Sequence, residues 1–218
     1  MQLYGYFRSS ASYRVRIALN LKGLDYEQIP VHLVKNGGEQ FSESFRAINP
    51  ESLVPALVDE HEGTQLALSQ SLAIIEYLEE KYPAIALMPS DLADRAYVRA
   101  LSLSIACDIH PVNNLRILKY LSANFGINDE QKNAWYRHWC EVGLKAIEAR
   151  LAVSPQRGDF CFGDQPGMAD CFLIPQIYNA QRFQADLSGM PIIMEINQRC
   201  LALEAFQKAA PANQADAE

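Results

Sequence analysis

The sequence changes its periodicity once, near Pro83, and this change constrains the fold more than any other feature. Before it, short segments with the two-residue period of strands alternate with segments of helical period, in the order βαβ-α-ββα. After a linker over 83–91 that contains two prolines, nearly every apolar pattern is helical. The sequence therefore predicts a mixed α/β domain over 1–82 and an all-α domain over 91–210.

The strands of the first half are expected to be short and bounded by turn residues. They are predicted at 3–7, 29–33, 54–58 and 66–68. Pro30 falls inside the second strand, and because proline donates no hydrogen bond to a ladder, this strand is expected at a sheet edge. The run His61-Glu62-Gly63 predicts the turn of a hairpin between the last two strands.

The second half is expected to consist of four helices and a polar end. The helices are predicted at 91–124, 129–152, 168–183 and 191–208. Asp170 is placed to bond back to the backbone N–H of Gly167, as in a capping box, which predicts a structural role at the start of the third helix. The last residues, 212–218, are polar enough that we expect them to fray.

Composition excludes several classes of protein. The chain has 218 residues, a formal net charge of −7 and no basic stripe, so nucleic-acid binding is not expected. No unbroken apolar stretch approaches the roughly 20 residues that cross a bilayer, so membrane association is not expected. The first residues resemble a strand and lack a charged-then-apolar leader, which predicts a cytoplasmic protein.

Five scattered cysteines form no CxxC pair. An odd number without paired spacing disfavours a disulfide framework, a zinc ribbon and a thioredoxin-type redox centre. The group Cys107, Asp108 and His110 has no recognised ligand spacing, so no metal site is expected. We expect the cysteines to be buried as small apolar side chains.

The junction between the first strand and the first helix has the character of an anion site. Ser9, Ser10 and Ser12 lie where unpaired backbone N–H groups and the positive end of the helix dipole converge. Three arginines share this segment, at Arg8, Arg14 and Arg16. Their charge opposes the acidic balance of the chain, which favours a negatively charged small molecule as ligand. A capped helix with solvated arginines explains these residues equally well.

Seven short motifs, collinear along the chain, resemble the zeta class of the glutathione transferase family, the maleylacetoacetate isomerases. They are FRSSASYRVRIALNLKG, NPESLVPAL, LSQSLAIIEYLEEKYP, DIHPVNNLRILKYL, FCFGDQPGMADCFLIPQ, NAQRFQADL and LEAFQKAAPANQ. The resemblance spans essentially the whole chain. It implies a glutathione transferase fold, with an N-terminal thioredoxin-like domain that binds glutathione and a C-terminal helical domain that binds the substrate, in a homodimer.

The resemblance also implies glutathione contacts in the first domain. Val54 would precede a cis proline, Pro55, and pair with the cysteinyl backbone of glutathione. Gln70 and Ser71, at the start of a helix, would hold the γ-glutamyl carboxylate. The alternative is purely structural, with Ser69 or Ser71 capping that helix.

Ser9 and Ser10 are predicted to support the glutathione thiolate, because a hydroxyl donor at a helix N-terminus lowers the pKa of a thiol. The sequence does not rank the two serines. Tyr4 and Tyr6 are an alternative, since other classes use an early tyrosine, but their positions favour the core of the strand. Many members of the class have a cysteine where this chain has Ala11. With no thiol among residues 1–106, the reactive sulfur is expected to be that of glutathione.

For the substrate, the resemblance implies that Arg8 and Arg182 bind carboxylates, and two separated arginines suit a dicarboxylate. His110 and Asn114, beside the kink expected at Pro111, are predicted to contact bound glutathione. Taken alone, a helical arginine is usually solvated, and polar residues at a kink usually pair with freed backbone groups. The orientation of Arg116 stays open.

Together the resemblance and these residues predict an enzyme, a glutathione-dependent isomerase that converts maleylacetoacetate to fumarylacetoacetate by reversible thiolate addition. This step belongs to phenylalanine and tyrosine catabolism. Three alternatives remain: a maleylpyruvate isomerase, a general zeta-class transferase, and a non-enzymatic glutathione carrier. A carrier would not need Ser9, Ser10, Gln70, Ser71 and Arg182 together, which disfavours it.

Overall fold

The computed structural model describes all 218 residues and divides into two compact units. The first unit comprises Met1–Leu87 together with Ala202–Glu218, and the second comprises Met88–Leu201. The segment Ala202–Glu218 therefore belongs to the first unit. Its helical sequence pattern had grouped it with the second half of the chain.

The first unit contains a four-stranded sheet in the order β2-β1-β3-β4. The strands are β1 Gln2–Gly5, β2 Glu27–Pro30, β3 Ala56–His61 and β4 Thr64–Ser69. β1 is parallel to β2 and antiparallel to β3, and β3 is antiparallel to β4. Pro30 ends the edge strand β2, as its missing N–H group predicts.

Helices surround this sheet and make up most of the second unit. The α-helices are α1 Ser10–Leu21, α2 Glu43–Ile48, α3 Ser71–Lys81, α4 Leu92–Leu103, α5 Leu115–Phe125, α6 Asp129–Ala152, α7 Met168–Arg182, α8 Pro191–Leu201 and α9 Glu204–Ala209. The predicted order βαβ-α-ββα is confirmed, and with it the thioredoxin-like first domain and the helical second domain. No helix has both the length and the apolar character needed to span a membrane.

The hairpin between β3 and β4 forms at the predicted turn. Glu62 has φ 50° and Gly63 has φ 74°, so both central residues are in the left-handed region. Two-residue hairpin loops of this kind match the twist of the flanking strands and favour glycine at one position. The turn sequence therefore sets the register that pairs His61 with Thr64 and Ala56 with Ser69.

A buried ion pair joins the ends of α1 and α3. The Lys22 ammonium lies 2.7 Å from Glu79 Oε2, and their side chains are 1% and 9% exposed. Lys22 also donates to the carbonyl groups of Tyr82 and Ile85 at 3.0 and 2.6 Å. Glu79 accepts from the backbone N–H of Leu87 at 2.9 Å. Every buried charge here has a partner, so the pair holds the chain that follows α3 against both helices.

The single helix predicted over 91–124 is wrong. α4 ends at Leu103, and the chain continues as a π-helical segment, Ser104–Ile109, and a 3₁₀ turn, Pro111–Asn113, before α5 begins. Pro111 has no N–H to donate and clashes with the preceding turn, so an uninterrupted α-helix cannot pass through it. The backbone hydrogen bond from His110 N to Ile105 O, at 2.9 Å, spans five residues, so the helix widens here into a π-helical turn.

Asp170 has the structural role that its spacing predicts. It is 1% exposed, and its carboxylate accepts from Gly167 N at 2.8 Å and from Cys161 N at 3.0 Å. We expect Asp170→Asn to lower the free energy of unfolding by about 2 kcal/mol, because an amide NH₂ then faces a buried backbone donor. Urea denaturation measures this change. Asp164→Asn, at an exposed carboxylate of the same loop, is the control, and equal losses in both variants would contradict the prediction.

The polar C-terminal residues were expected to fray, and this is wrong for the end of the chain. Asp216 accepts a hydrogen bond from Phe7 N at 3.0 Å and another from Gln28 Nε2 at 3.1 Å. Gln214 donates to the carbonyl group of Ala210 at 2.8 Å. The bond from Phe7 attaches the C-terminal segment to the chain between β1 and α1, where the predicted anion site lies, and the bond from Gln28 attaches it to β2.

Candidate functional site

Ser9 is the N-cap of α1. Its hydroxyl oxygen accepts from the backbone N–H of Ser12 at 3.2 Å, so its own hydrogen remains free to be donated to a different partner. Ser9 is half-buried, whereas Ser10 is only 4% exposed. The structure therefore separates two serines that the sequence could not rank, and Ser9 is the one that a ligand can reach.

Only one of the three N-terminal arginines is exposed. Arg8 lies with its guanidinium carbon 4.7 Å from the centre of the Phe7 ring, and its Nη2 is 3.9 Å from Glu218 Oε2. Arg14 and Arg16 are each 1% exposed. Both side chains are buried, so the alternative expectation of solvated arginines is wrong for them.

The buried arginines bind different groups within the first unit. Arg16 Nε donates to the carbonyl of Ala209 at 2.9 Å, and its Nη2 donates to that of Phe7 at 3.0 Å. Arg14 Nη1 instead donates to the hydroxyl oxygen of Ser71 at 3.2 Å, and this bond is buried. Arg14 thus joins α1 to the start of α3, where the γ-glutamyl carboxylate is predicted to bind.

The start of α3 lacks an internal cap. Gln70 occupies the N-cap position, and its side chain makes no capping hydrogen bond. Its amide donates to Glu51 Oε2 at 3.0 Å instead. Neither Ser69 nor Ser71 is the N-cap, so the alternative in which one of them caps α3 is wrong. A helix start without a side-chain cap suits an external acceptor such as a carboxylate.

Gln70 also has a backbone conformation that non-glycine residues rarely adopt, with φ 67° and ψ 113°. Such conformations cost about 1 to 3 kcal/mol and cluster at ligand sites. The sequence contains no signal for this feature. It directs the chain from β4 into α3 so that Ser71 becomes the first residue of the helix.

Val54 precedes a cis peptide bond to Pro55, as the resemblance implies. Its side chain packs against the small core cluster of Val31, Phe45 and Ala56. Val54 lies just before β3, the strand next to β1 in the sheet.

The tyrosines offered as an alternative lie where the strand pattern predicts. Tyr4 is a half-buried residue of β1, and Tyr6, just after it, is 6% exposed. The Tyr6 ring packs edge-on against Phe7 and His32, with each pair of ring centres 4.8 Å apart. Both tyrosines have packing roles in the first unit.

In the second unit, His110 and Asn114 flank the 3₁₀ turn that precedes α5. His110 is half-buried. Asn114 is the N-cap of α5, and its Oδ1 accepts from the backbone N–H of Arg116 at 3.1 Å. The carbonyl oxygen of Asn114 is therefore used in the fold, and its amide NH₂ group is the part suited to a ligand. Arg116 itself is exposed.

Arg182 is the last residue of α7 and is exposed. Its guanidinium carbon lies 4.8 Å from the centre of the Phe183 ring, and Phe183 stacks on Tyr136 with ring centres 3.6 Å apart. A cation over an aromatic face is held in place while its N–H donors stay free to bind an anion. Sequence reasoning missed this aromatic support, although the Arg-Phe pair is adjacent in the chain.

Four of the five cysteines are buried, and burial raises the pKa of the Cys140 thiol to about 12. The expectation of burial is wrong for Cys107, which is exposed on the π-helical segment. Burial also raises the pKa of Cys161 far above its usual value. The thiols of Cys140 and Cys161 are therefore protonated and unreactive at neutral pH.

Comparisons with known proteins find matches along most of the chain. The family model described as glutathione S-transferase, N-terminal domain, matches residues 3–86, and the model of the C-terminal domain matches residues 143–203. The chain is 53% identical to a probable maleylacetoacetate isomerase of Vibrio cholerae over 215 residues, which is 99% of this chain and 97% of the relative.

Two solved structures are similar over 100% of both chains. One is the holo structure of a maleylpyruvate isomerase, described as a bacterial glutathione S-transferase of the zeta class, with a TM-score of 0.94 and 50% identity. The other is maleylacetoacetate isomerase from Methylobacterium extorquens with bound malonate and glutathione, with a TM-score of 0.94 and 38% identity.

Proposed function

The chain belongs to the glutathione transferase family, and from this premise we propose that it is a glutathione-dependent isomerase that converts maleylacetoacetate to fumarylacetoacetate. The observation that carries the proposal is the nearly full-length similarity to isomerases of such cis diacids. The N-termini of α1 and α3, with Ser9 and Ser71, support it as sites for anions.

Glutathione fits the residues of the first unit. It carries a γ-glutamyl carboxylate and, when ionised, a thiolate, and helix N-termini favour both anions. The uncapped start of α3 suits the carboxylate, with Ser71 and Gln70 as its partners. The accessible Ser9 hydroxyl suits the sulfur. We assign Val54 to the cysteinyl backbone of glutathione, and His110 and Asn114 to further contacts with it.

When bound, glutathione would supply a thiolate that adds to the cis double bond and is expelled after rotation about the resulting single bond, which re-forms the double bond as trans. The Ser9 hydroxyl donates a hydrogen bond to the sulfur and so keeps it ionised, with Ser10 behind it in the first turn of α1. Arg8 and Arg182 bind the substrate carboxylates and stabilise the negative charge that develops. Substrate carboxylates and developing charge are therefore neutralised by arginines that keep their protons throughout.

Ser9→Ala is expected to raise the pKa of the bound glutathione thiol and to reduce the thiolate fraction at neutral pH about tenfold. Ultraviolet absorbance of the thiolate, followed against pH in the glutathione complex, measures this effect. Ser10→Ala is the matched control, because Ser10 is buried, and its effect should be smaller. An equal effect of Ser10→Ala would contradict this prediction, and a larger one would show that the roles of the two serines are reversed.

The overall proposal is tested by ultraviolet monitoring of maleylacetoacetate and of maleylpyruvate, each with and without glutathione. We expect glutathione-dependent isomerisation of maleylacetoacetate with the higher kcat/KM. A higher kcat/KM for maleylpyruvate would support the second candidate, which the similarity to a maleylpyruvate isomerase favours. If neither diacid changes in a glutathione-dependent way, the chain is a carrier or a transferase for other substrates.

We extend the proposal to the setting of the reaction. The protein is expected to act in the cytoplasm, in phenylalanine and tyrosine catabolism, as a homodimer. Membership of the zeta class supports these expectations. Light scattering coupled to size exclusion measures the assembly, and a mass close to the 24.4 kDa of one chain would contradict the dimer.

A further inference from the structure

Arg14 is a buried cation at the proposed glutathione carboxylate site, and the mechanism above gives it no role. Its side chain is among the largest in the protein that are fully buried. Nη1 donates to Ser71 Oγ at 3.2 Å, between residues 57 positions apart in the sequence. A buried charge is retained only where its partners stabilise it, so this contact is a specific part of the site.

The hydrogen bond from Arg14 fixes which role the Ser71 hydroxyl takes toward each of its partners. A guanidinium group has donors and no acceptor, so Ser71 Oγ must accept from Arg14. The hydroxyl hydrogen of Ser71 then points to a different partner. Because Ser71 is the first residue of α3, this hydrogen is available at the same helix end as the uncapped backbone N–H groups.

The positive charge of Arg14 adds to the positive potential that the dipole of α3 creates at the N-terminus of that helix. The N-terminus of α3 carries roughly half a positive charge, and Arg14 places a full positive charge next to it. In a buried environment this field is weakly screened, so an anion at the start of α3 is stabilised more than the helix alone would allow.

Arg16 shows that burial of an arginine in α1 does not by itself produce such a contact. It is equally buried, two residues further along the helix, and donates to backbone carbonyl groups of Ala209 and Phe7. Backbone carbonyl groups have no hydrogen to orient. Arg16 is therefore a structural counterpart of Arg14 within the same helix.

We infer that Arg14 is a positioning residue for glutathione, which orients the Ser71 hydroxyl as a donor and adds positive charge where the γ-glutamyl carboxylate binds. This inference rests on the proposed function. Its effect is specific to that carboxylate: the hydrogen bond acts through Ser71, and the positive charge acts on the carboxylate directly.

Calorimetric titration with glutathione tests the inference in a double-mutant cycle. Ser71→Ala and Arg14→Met should each raise Kd about tenfold, and the double variant should raise it far less than the hundredfold product. Arg16→Met combined with Ser71→Ala is the control, and its two effects should multiply. Independent, multiplying effects of Arg14→Met and Ser71→Ala would overturn the inference.

The second test of the inference uses a ligand that lacks the α-carboxylate of the γ-glutamyl group. γ-Aminobutyryl-cysteinylglycine has the thiol and glycine end of glutathione but lacks this group, so substitution of Arg14 should leave its Kd unchanged. If Arg14→Met does not fold, Arg14→Lys replaces it, because lysine retains the buried charge. We expect Arg14→Lys to raise Kd about threefold for glutathione and to leave Kd for the analogue unchanged. Equal weakening of both ligands by Arg14→Lys would overturn the inference.

The two proposals fail in different ways. If the unchanged protein binds no glutathione, the proposed function fails. If the unchanged protein binds glutathione but the analogue and glutathione respond equally to Arg14→Lys, only the positioning role fails.

Discussion

Glu79→Ala is expected to lower the free energy of unfolding by about 4 kcal/mol, because it leaves the Lys22 ammonium buried without its carboxylate. The backbone N–H of Leu87 also loses its acceptor. The carbonyl groups of Tyr82 and Ile85 remain as partners of Lys22, but neutral oxygens do not replace a counter-charge. Guanidinium denaturation followed by circular dichroism measures the change.

Two variants separate this effect from the loss of any glutamate on α3. Glu80→Ala removes an adjacent, exposed carboxylate and should change the free energy of unfolding by less than about 0.5 kcal/mol. Combining Lys22→Met with Glu79→Leu replaces the pair by apolar groups and should cost less than Glu79→Ala alone. Equal losses in Glu79→Ala and Glu80→Ala would mean that the ion pair does not stabilise the fold.

Arg182→Ala is expected to reduce kcat/KM for maleylacetoacetate about 100-fold, with a higher KM and a lower kcat. The higher KM follows from the loss of a charge-assisted bond to a substrate carboxylate. The lower kcat follows if the same guanidinium stabilises negative charge that grows during the reaction. Steady-state kinetics at saturating glutathione measure both values, and unchanged kinetics would reject the substrate role.

Two variants serve as controls for Arg182→Ala: a conservative substitution at the same position, and the loss of a similar arginine elsewhere. Arg182→Lys retains the charge but loses the planar, paired donors, so kcat/KM should fall by less than in Arg182→Ala. Arg150 is also exposed over an aromatic ring, 5.3 Å from the centre of Tyr97, and has no predicted substrate role. Arg150→Ala should leave kcat/KM unchanged.

The order of strands and helices could be predicted because its signals are local. Alternation of apolar residues, the Glu62-Gly63 turn and the edge position of Pro30 each depend on a few neighbouring residues. The break after Leu103 was missed, because a π-helical segment has no apolar period of its own and only Pro111 marks it.

The chemistry of the candidate site was only partly readable. Ser9 and Ser71 could be selected because serines near helix starts are recognisable, and the resemblance supplied their partners. The exposure of Ser9, the burial of Ser10 and the left-handed backbone of Gln70 have no local signal. Arginine is rarely buried, so nothing in the sequence indicated that Arg14 is buried.

By itself, the sequence determined the order of strands and helices in the first unit and the family to which the chain belongs, and it indicated two helix starts suited to anions. Only the tertiary structure decided which of the clustered side chains are exposed and which are buried in the fold. The physical reason is that burying a charge requires partners from distant parts of the chain. Arg14 finds one 57 residues away at Ser71, and Asp216 finds one 209 residues away at Phe7. No local sequence pattern encodes a hydrogen bond between residues so far apart in the chain.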